Sequence, residues 1–417
     1  MSEDAYQIRD LVKRHHEISK RSINLNAASN LPSNLVREIA SSDALRRITA
    51  QMRGKSVYGG TKYLDAAIEK STELARKLFR ADFVSIKPMT GNIAIMSALI
   101  GLLQPNHTLV NTPSVYGGYP LPDRLRDHVH YPFHVEYFPC NAEEWNIDLD
   151  RAIQTVVDLK PNLLMLGNAD MLFPHPAREL SKVAREIGAI TVFDGAHILG
   201  LVAGGEFQDP LNEGCAVLTG GMNKSFPGPH RGIILVKGDA GLFDRVEAPV
   251  RPPPLLQSTF DLGLTITVGI ACAEMLEFGR DYARQVVRNA QALGEALHTH
   301  GVQDLLCPQR GFTKSHMLIQ RVGGSLASDE GFQIKEKLEA ANIFVDAVVR
   351  YGVGEVTRRG MKENEMKHLA ELIAKVLVER TEPEKVRVEV EKLAEQFRNV
   401  SYSFDQMNDA FAYFDLA

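Results

Sequence analysis

From about residue 63 to residue 236 the chain alternates short apolar runs with helix-length amphipathic stretches. No other feature constrains its fold as tightly. The apolar runs predict strands at 83–86, 108–110, 163–166, 190–193, 216–218 and 232–236. Helices are predicted at 64–79, from the turn at 88–92 through 103, at 149–158 and at 177–187. Strand and helix in alternation predict an α/β domain: a mostly parallel sheet with helices on both faces.

Outside that region the pattern changes. Residues 4–22 predict a charged helix leading into an arm whose Asn24, Asn26, Asn30, Pro32 and Asn34 suit turns. Such an arm lies across a partner subunit or is simply solvated. A break at 240–262 carries the prolines Pro252, Pro253 and Pro254, and a long helix is predicted at 263–298. Short strands at 315–319 and 343–349 and helices at 330–341, 362–378 and 383–397 read as a smaller C-terminal α+β domain. The expected division is 1–52 (arm and helix), 53–262 (large domain) and 263–417 (linker helix and small domain).

Composition narrows the class. With 417 residues, 44% hydrophobic and 24% charged, the chain can bury a large core without staples. Its formal net charge of -5 gives no nucleic-acid footprint. Cys140, Cys215, Cys272 and Cys307 are too dispersed for a metal or redox motif, which favours reduced thiols and a cytoplasmic protein. The polar N-terminus lacks a signal-peptide core, and no run of about 18 uncharged apolar residues predicts a membrane span.

Two strand ends carry the chemistry. Thr191-Val192-Phe193-Asp194-Gly195-Ala196-His197 places Asp194 just after one predicted strand, and Gly220-Gly221-Met222-Asn223-Lys224-Ser225-Phe226 places Lys224 just after another. Ligand sites of open α/β sheets form at such ends. Pyridoxal 5′-phosphate (PLP) needs an amine for its Schiff base and an anion beside its pyridine nitrogen, and Lys224 and Asp194 are placed to supply them. Alone, Asp194 reads equally well as a helix N-cap, and Lys224 as a surface lysine. Their pairing, in order and after two strands, favours the cofactor. Thr90-Gly91-Asn92 lies between a strand and a helix, where free backbone N–H groups cradle phosphate, although a plain Thr cap explains it alone.

These segments resemble serine hydroxymethyltransferase, a fold-type-I PLP family, and this chain resembles a divergent member of it. Asp194 through Gly204 resembles the family's pyridine-aspartate stretch, and Asn223-Lys224-Ser225-Phe226-Pro227-Gly228-Pro229 its cofactor-lysine segment. Gly54 through Asp65, including Tyr58, resembles its early motif, and Arg350-Tyr351-Gly352 with Thr357-Arg358-Arg359-Gly360-Met361 its late arginine motif. The resemblance implies that His197 contacts the cofactor's phenolic side or the substrate, and that Asn223 helps bind the cofactor. It implies that Tyr119 stacks on the ring where the family has a histidine, and that Arg350 holds the substrate carboxylate. Tyr58 would reach a partner's site, which implies a homodimer. A loop aromatic and a surface ion pair are the plain alternatives for Tyr119 and Arg350.

Several positions depart from the family pattern. Ala50 stands where the family has a proton-handling glutamate, and Ile48 where a tyrosine contacts phosphate. Ala28 and Ser29 replace a serine and a glutamate upstream, leaving Ser29 as a candidate substrate contact. Gly221, Met222 and Asn223 replace hydroxyl-bearing residues and a histidine before the lysine, and the segment between Asn342 and Arg350 is short where the family has a folate loop. Alanine cannot act as a general acid or base. The expected function is therefore folate-independent Cα–Cβ aldol cleavage or transfer on a β-hydroxy amino acid. Transamination, racemisation or β-elimination at Cα–H is a second reading, and authentic serine–glycine interconversion a third. A non-catalytic PLP-binding protein is a fourth, against which Lys224, Asp194, His197 and Arg350 argue.

Overall fold

The computed structural model describes residues 2–52, 55–251, 255–323, 327–405 and 409–411. Gly54 of the early motif and the prolines 252–254 lie outside them. Seven strands form the main sheet: β1 (Phe83–Ser85), β2 (Thr108–Asn111), β3 (His134–Tyr137), β4 (Leu163–Leu166), β5 (Ile190–Asp194), β6 (Val217–Gly221) and β7 (Gly232–Val236). Their spatial order is β1-β7-β6-β5-β4-β2-β3. β7 runs antiparallel to both neighbours, and every other adjacent pair is parallel.

Both faces of this sheet are covered, as the near-continuous apolar strands require. Leu163, Met165, Val192, Val217, Ile234 and Val236 share one core cluster with residues of the helices Gly91–Leu102, Leu121–His128 and Ala240–Glu247. The alternate residues Leu164, Leu166, Phe193, Leu218 and Leu235 point to the opposite face and are buried too. Each such side chain contributes about 1.5–3 kcal/mol. The helix Gly91–Leu102 is apolar on most sides because it is packed on most sides. Ser97 Oγ, for example, donates to the Val246 carbonyl at 2.6 Å.

Several elements escape the sequence pattern, the helices Leu121–His128 and Leu199–Gly204 among them; two others are instructive. β3 is an edge strand in which only Val135 is buried, so it shows no apolar run. The helix Ala240–Glu247 falls inside the expected break at 240–262, and Asp239 caps it by accepting from Leu242 N at 3.0 Å.

The chain forms two compact units: Leu35–Arg284, and Met1–Asn34 together with Gln285–Ala417. The first 34 residues thus belong with the C-terminal part instead of forming a separate arm, and the divisions fall at 34/35 and 284/285 instead of 52/53 and 262/263. Ile23–Asn24 pairs in parallel with Ile343–Phe344, and the Leu25 N–H donates to the Phe344 carbonyl at 2.8 Å. In the same unit Met317–Ile319 pairs antiparallel with Arg350–Gly352, beside the helices Asp329–Ala340, Glu363–Leu377 and Pro383–Gln396. The single strand expected at 343–349 is interrupted. Asp346 accepts from Val348 N at 3.1 Å, and Val349 adopts a φ of 59°.

The helix Leu262–Thr299 spans 38 residues. It is long and apolar enough to cross a membrane by length and composition, but 61% of its most apolar stretch is buried inside the protein. Core helices pass the same test.

Candidate cofactor and active site

A cavity of about 260 Å³ opens at the ends of the strands of the Leu35–Arg284 unit. Thr90, Gly91, Asn92, Tyr119, Asp194, His197, Asn223 and Lys224 all line it. The ends of β1, β2, β5 and β6 and the segments that follow them deliver these eight residues, so the strand-end rule accounts for their meeting.

Asp194 ends β5 and is in register with Thr219 of β6. The next residue, Gly195, continues the ladder by donating to the Thr219 carbonyl at 2.8 Å. The Asp194 side chain accepts from Ala196 N at 3.0 Å. Burial pushes its carboxyl above the ordinary carboxylate range, offset in part by the Ala196 N–H and the Lys224 charge. Lys224 follows the turn after β6. Behind that turn the helix Leu199–Gly204 approaches so closely that a Cβ on Gly200 would lie 2.2 Å from the Ser225 carbonyl oxygen. Ser225 Oγ accepts from Gly200 N at 3.0 Å, and Tyr282 Oη donates to the Ser225 carbonyl at 3.1 Å. Glycine at 200 thus lets the follow-on helix clamp the lysine turn.

Thr90 caps the helix Gly91–Leu102, its Oγ1 accepting from Ile93 N at 3.2 Å. A Cβ on Gly91 would sit 3.1 Å from the Gly221 Cα, so the helix starts directly against the end of β6. Tyr119 donates through its hydroxyl to Asn92 Oδ1 at 2.8 Å. Burial, then the Asp194 carboxylate, pushes the Tyr119 phenol up from its ordinary range.

The donor set fits PLP. A helix start with open N–H groups suits a phosphate, a lysine suits the aldehyde, and a buried carboxyl in need of a cationic neighbour suits a protonated ring nitrogen.

Two further lining residues, Asn168 and His230, were not singled out from sequence. Asn168 obeys the same strand-end rule, following β4, but its amide carries no reactivity to flag it. His230 comes one residue after the cofactor-lysine segment. Asn168 Nδ2 donates to the Tyr116 carbonyl at 3.1 Å, and behind it the buried His175 accepts from Gly167 N at 3.1 Å through Nδ1. Burial lowers the His175 imidazole to about 3.

The remaining candidates lie elsewhere. Tyr58 is 41% exposed and is not among the cavity-lining residues. Ala50 and Thr49 line a different cavity, of about 480 Å³. Ser29 and Arg350 belong to the other unit. There Ser29 Oγ accepts from Asn24 Nδ2 at 3.0 Å, and Arg350 Nε donates to Asp346 Oδ2 at 2.8 Å. The neighbouring Arg358 and Arg359 are fully buried. Arg359 donates to the carbonyls of Ser22, Ala394 and Phe397, so this part of the late motif holds the unit together.

The family model for serine hydroxymethyltransferase matches residues 1–373. Serine hydroxymethyltransferases from Methanopyrus kandleri and Pyrococcus furiosus are 36% and 34% identical to the chain, each over 96% of both sequences. Among solved structures, L-threonine transaldolase from Pseudomonas fluorescens superimposes with a TM-score of 0.87 at 26% identity, covering 98% of this chain and 97% of that one. Fold, cavity and relatives together define a PLP-dependent transferase of fold type I. Within that class the chain belongs to the serine hydroxymethyltransferase family, as a divergent member, and its cofactor is PLP.

Proposed function

We propose that this enzyme carries out folate-independent Cα–Cβ aldol cleavage or transfer on a β-hydroxy-α-amino acid. The observation that carries the proposal is the composition of the cavity: Asp194 is the only carboxylate among the described residues lining it, and Ala50 occupies the position where the family has its proton-handling glutamate. The likeness to an L-threonine transaldolase supports the transfer reading.

When bound, PLP supplies an electron sink that weakens bonds at Cα. The chain's own residues then have separable tasks. Lys224 would provide the amine that holds the cofactor. Asp194 keeps the ring nitrogen protonated. Thr90, Gly91 and Asn92 would hold the phosphate, Tyr119 would offer its ring face to the cofactor, and Asn223 would brace the cofactor beside the lysine. Arg350 would bind the substrate carboxylate, with Ser29 as a second contact. His197, within the cavity, takes the proton of the substrate β-hydroxyl in place of the missing glutamate.

Tyr58, exposed in one chain, would complete the site of a second, making the enzyme a cytoplasmic homodimer with shared active sites. Family membership favours serine–glycine interconversion as the competing reading. Product analysis with PLP and a panel of β-hydroxy amino acids, with and without tetrahydrofolate, tests the choice. Glycine and the matching aldehyde in equal amounts are expected. Formation of a keto acid, or of a racemised amino acid alone, would move the chemistry to Cα–H.

A further inference from the structure

We propose that the Tyr119 hydroxyl is a positioning group for the phosphate. By donating to Asn92 it fixes that amide with its NH₂ toward the cofactor, and so couples the stacking ring to the phosphate turn.

The helix start shows what the turn has to offer. The first four N–H groups of an α-helix have no intrahelical acceptor ahead of them. In Gly91–Leu102, Thr90 supplies two of the missing acceptors: its Oγ1 takes Ile93 N at 3.2 Å and its carbonyl takes Ala94 N at 3.0 Å. The N–H groups of Gly91 and Asn92 remain to face the cavity that both residues line. An asparagine side chain has one accepting end and one donating end. Here the accepting end is engaged by the Tyr119 phenol at 2.8 Å, which leaves the NH₂ as the end available to a phosphate oxygen. The reverse orientation would turn a carbonyl oxygen toward a phosphate dianion and leave the phenol proton without its acceptor. Burial and Asp194 hold the phenol protonated, and so able to donate.

Tyr119 is itself held in place. Its carbonyl accepts from Asn111 Nδ2 at the end of β2, at 3.1 Å. The preceding Gly118 is pressed so tightly on β2's exit that a Cβ there would lie 1.7 Å from the Thr112 carbonyl oxygen. The phenol is thus anchored to the sheet, and the sheet's geometry is passed to Asn92 through one hydrogen bond. A shorter ring at 119 could stack on the cofactor but could not span to Asn92.

The inference rests on the placement of the phosphate at Thr90–Asn92, and the test separates the two. The full-length chain, stripped of cofactor, is titrated with PLP and with pyridoxal, which lacks the phosphate, following the visible absorbance of the bound cofactor. Tyr119→Phe is expected to raise the PLP dissociation constant about three- to tenfold, the scale of one neutral hydrogen bond, and to leave pyridoxal within about twofold. Tyr119→His should behave like Tyr119→Phe. Asn92→Ala should lose PLP affinity selectively, and adding Tyr119→Phe to it should cost nothing more, because the two residues act through one bond. Equal losses for PLP and pyridoxal, additive losses, no loss, or a Tyr119→Phe chain that fails to fold would each overturn the inference. A wild-type chain that binds pyridoxal as tightly as PLP would overturn the phosphate placement itself.

Discussion

The residues at the strand ends and those of the early and late motifs behave differently. Asp194, His197, Lys224, Tyr119 and Asn92 line one cavity within one compact unit, held by strand register and short hydrogen bonds. Tyr58 lies exposed, Ala50 lines a different cavity, and Arg350 belongs to the other unit, tied to Asp346. Cofactor chemistry can be built by one sheet, because parallel strands deliver their reactive residues to a common edge. The substrate contacts proposed above fall on segments that this sheet does not position, and departures from the family pattern occur both there (Ala50, Ser29) and in the cavity (Tyr119, Asn223).

The largest expected effect is at the strand ends. Lys224→Ala should abolish covalent attachment of the cofactor and its visible absorbance, with no lysine modified after borohydride reduction and peptide mapping. A modified lysine elsewhere in the wild-type protein would break the comparison at its root. Next in size is Arg350→Ala. Losing a charge-assisted pair at the substrate carboxylate should weaken amino-acid binding roughly 10- to 150-fold, about 1.5–3 kcal/mol, while PLP affinity stays nearly unchanged. Spectral titration with amino acids checks this, and unchanged affinity would make Arg350 purely structural.

A third expectation concerns the scaffold behind the cavity. Burial lowers His175 from 6.5 to about 3, so unfolding takes up a proton between those values. Stability tied to neutral His175 is present above pH 6.5 and is lost as pH falls toward 3, by a few kcal/mol at most. His175→Asn, which can keep an acceptor for Gly167 N, should flatten the decline in melting temperature over that window. An unchanged slope would show that other groups govern the acid limit.

The difference between the regions also explains what was legible in the sequence. The central strands and the Asp194–Lys224 pair could be read because buried parallel strands are short apolar runs and their reactive residues follow at once. Asn168 obeys the same rule but is chemically silent. β3 was invisible because an edge strand with one buried residue has no apolar signature. The interruption at Asp346 depends on a side chain accepting backbone N–H groups, which periodicity does not report. Arg358 and Arg359 carry the same charge in sequence as Arg350. Their burial and their carbonyl partners, Tyr402 for Arg358 and Ser22 and Ala394 for Arg359, mark this pair as struts.

The central claim is that the cofactor machinery is kept while the folate chemistry is lost. Two independent features underlie it. A missing general acid or base is typically worth about 100- to 10,000-fold in rate, and a short segment before Arg350, as proposed from the family pattern, would leave a folate pocket without part of its wall. The direct measurement is serine-to-glycine conversion by the purified holoenzyme as a function of tetrahydrofolate concentration. The account predicts a slow rate that tetrahydrofolate does not change. A large, saturable stimulation at micromolar tetrahydrofolate would contradict it and establish ordinary serine hydroxymethyltransferase activity.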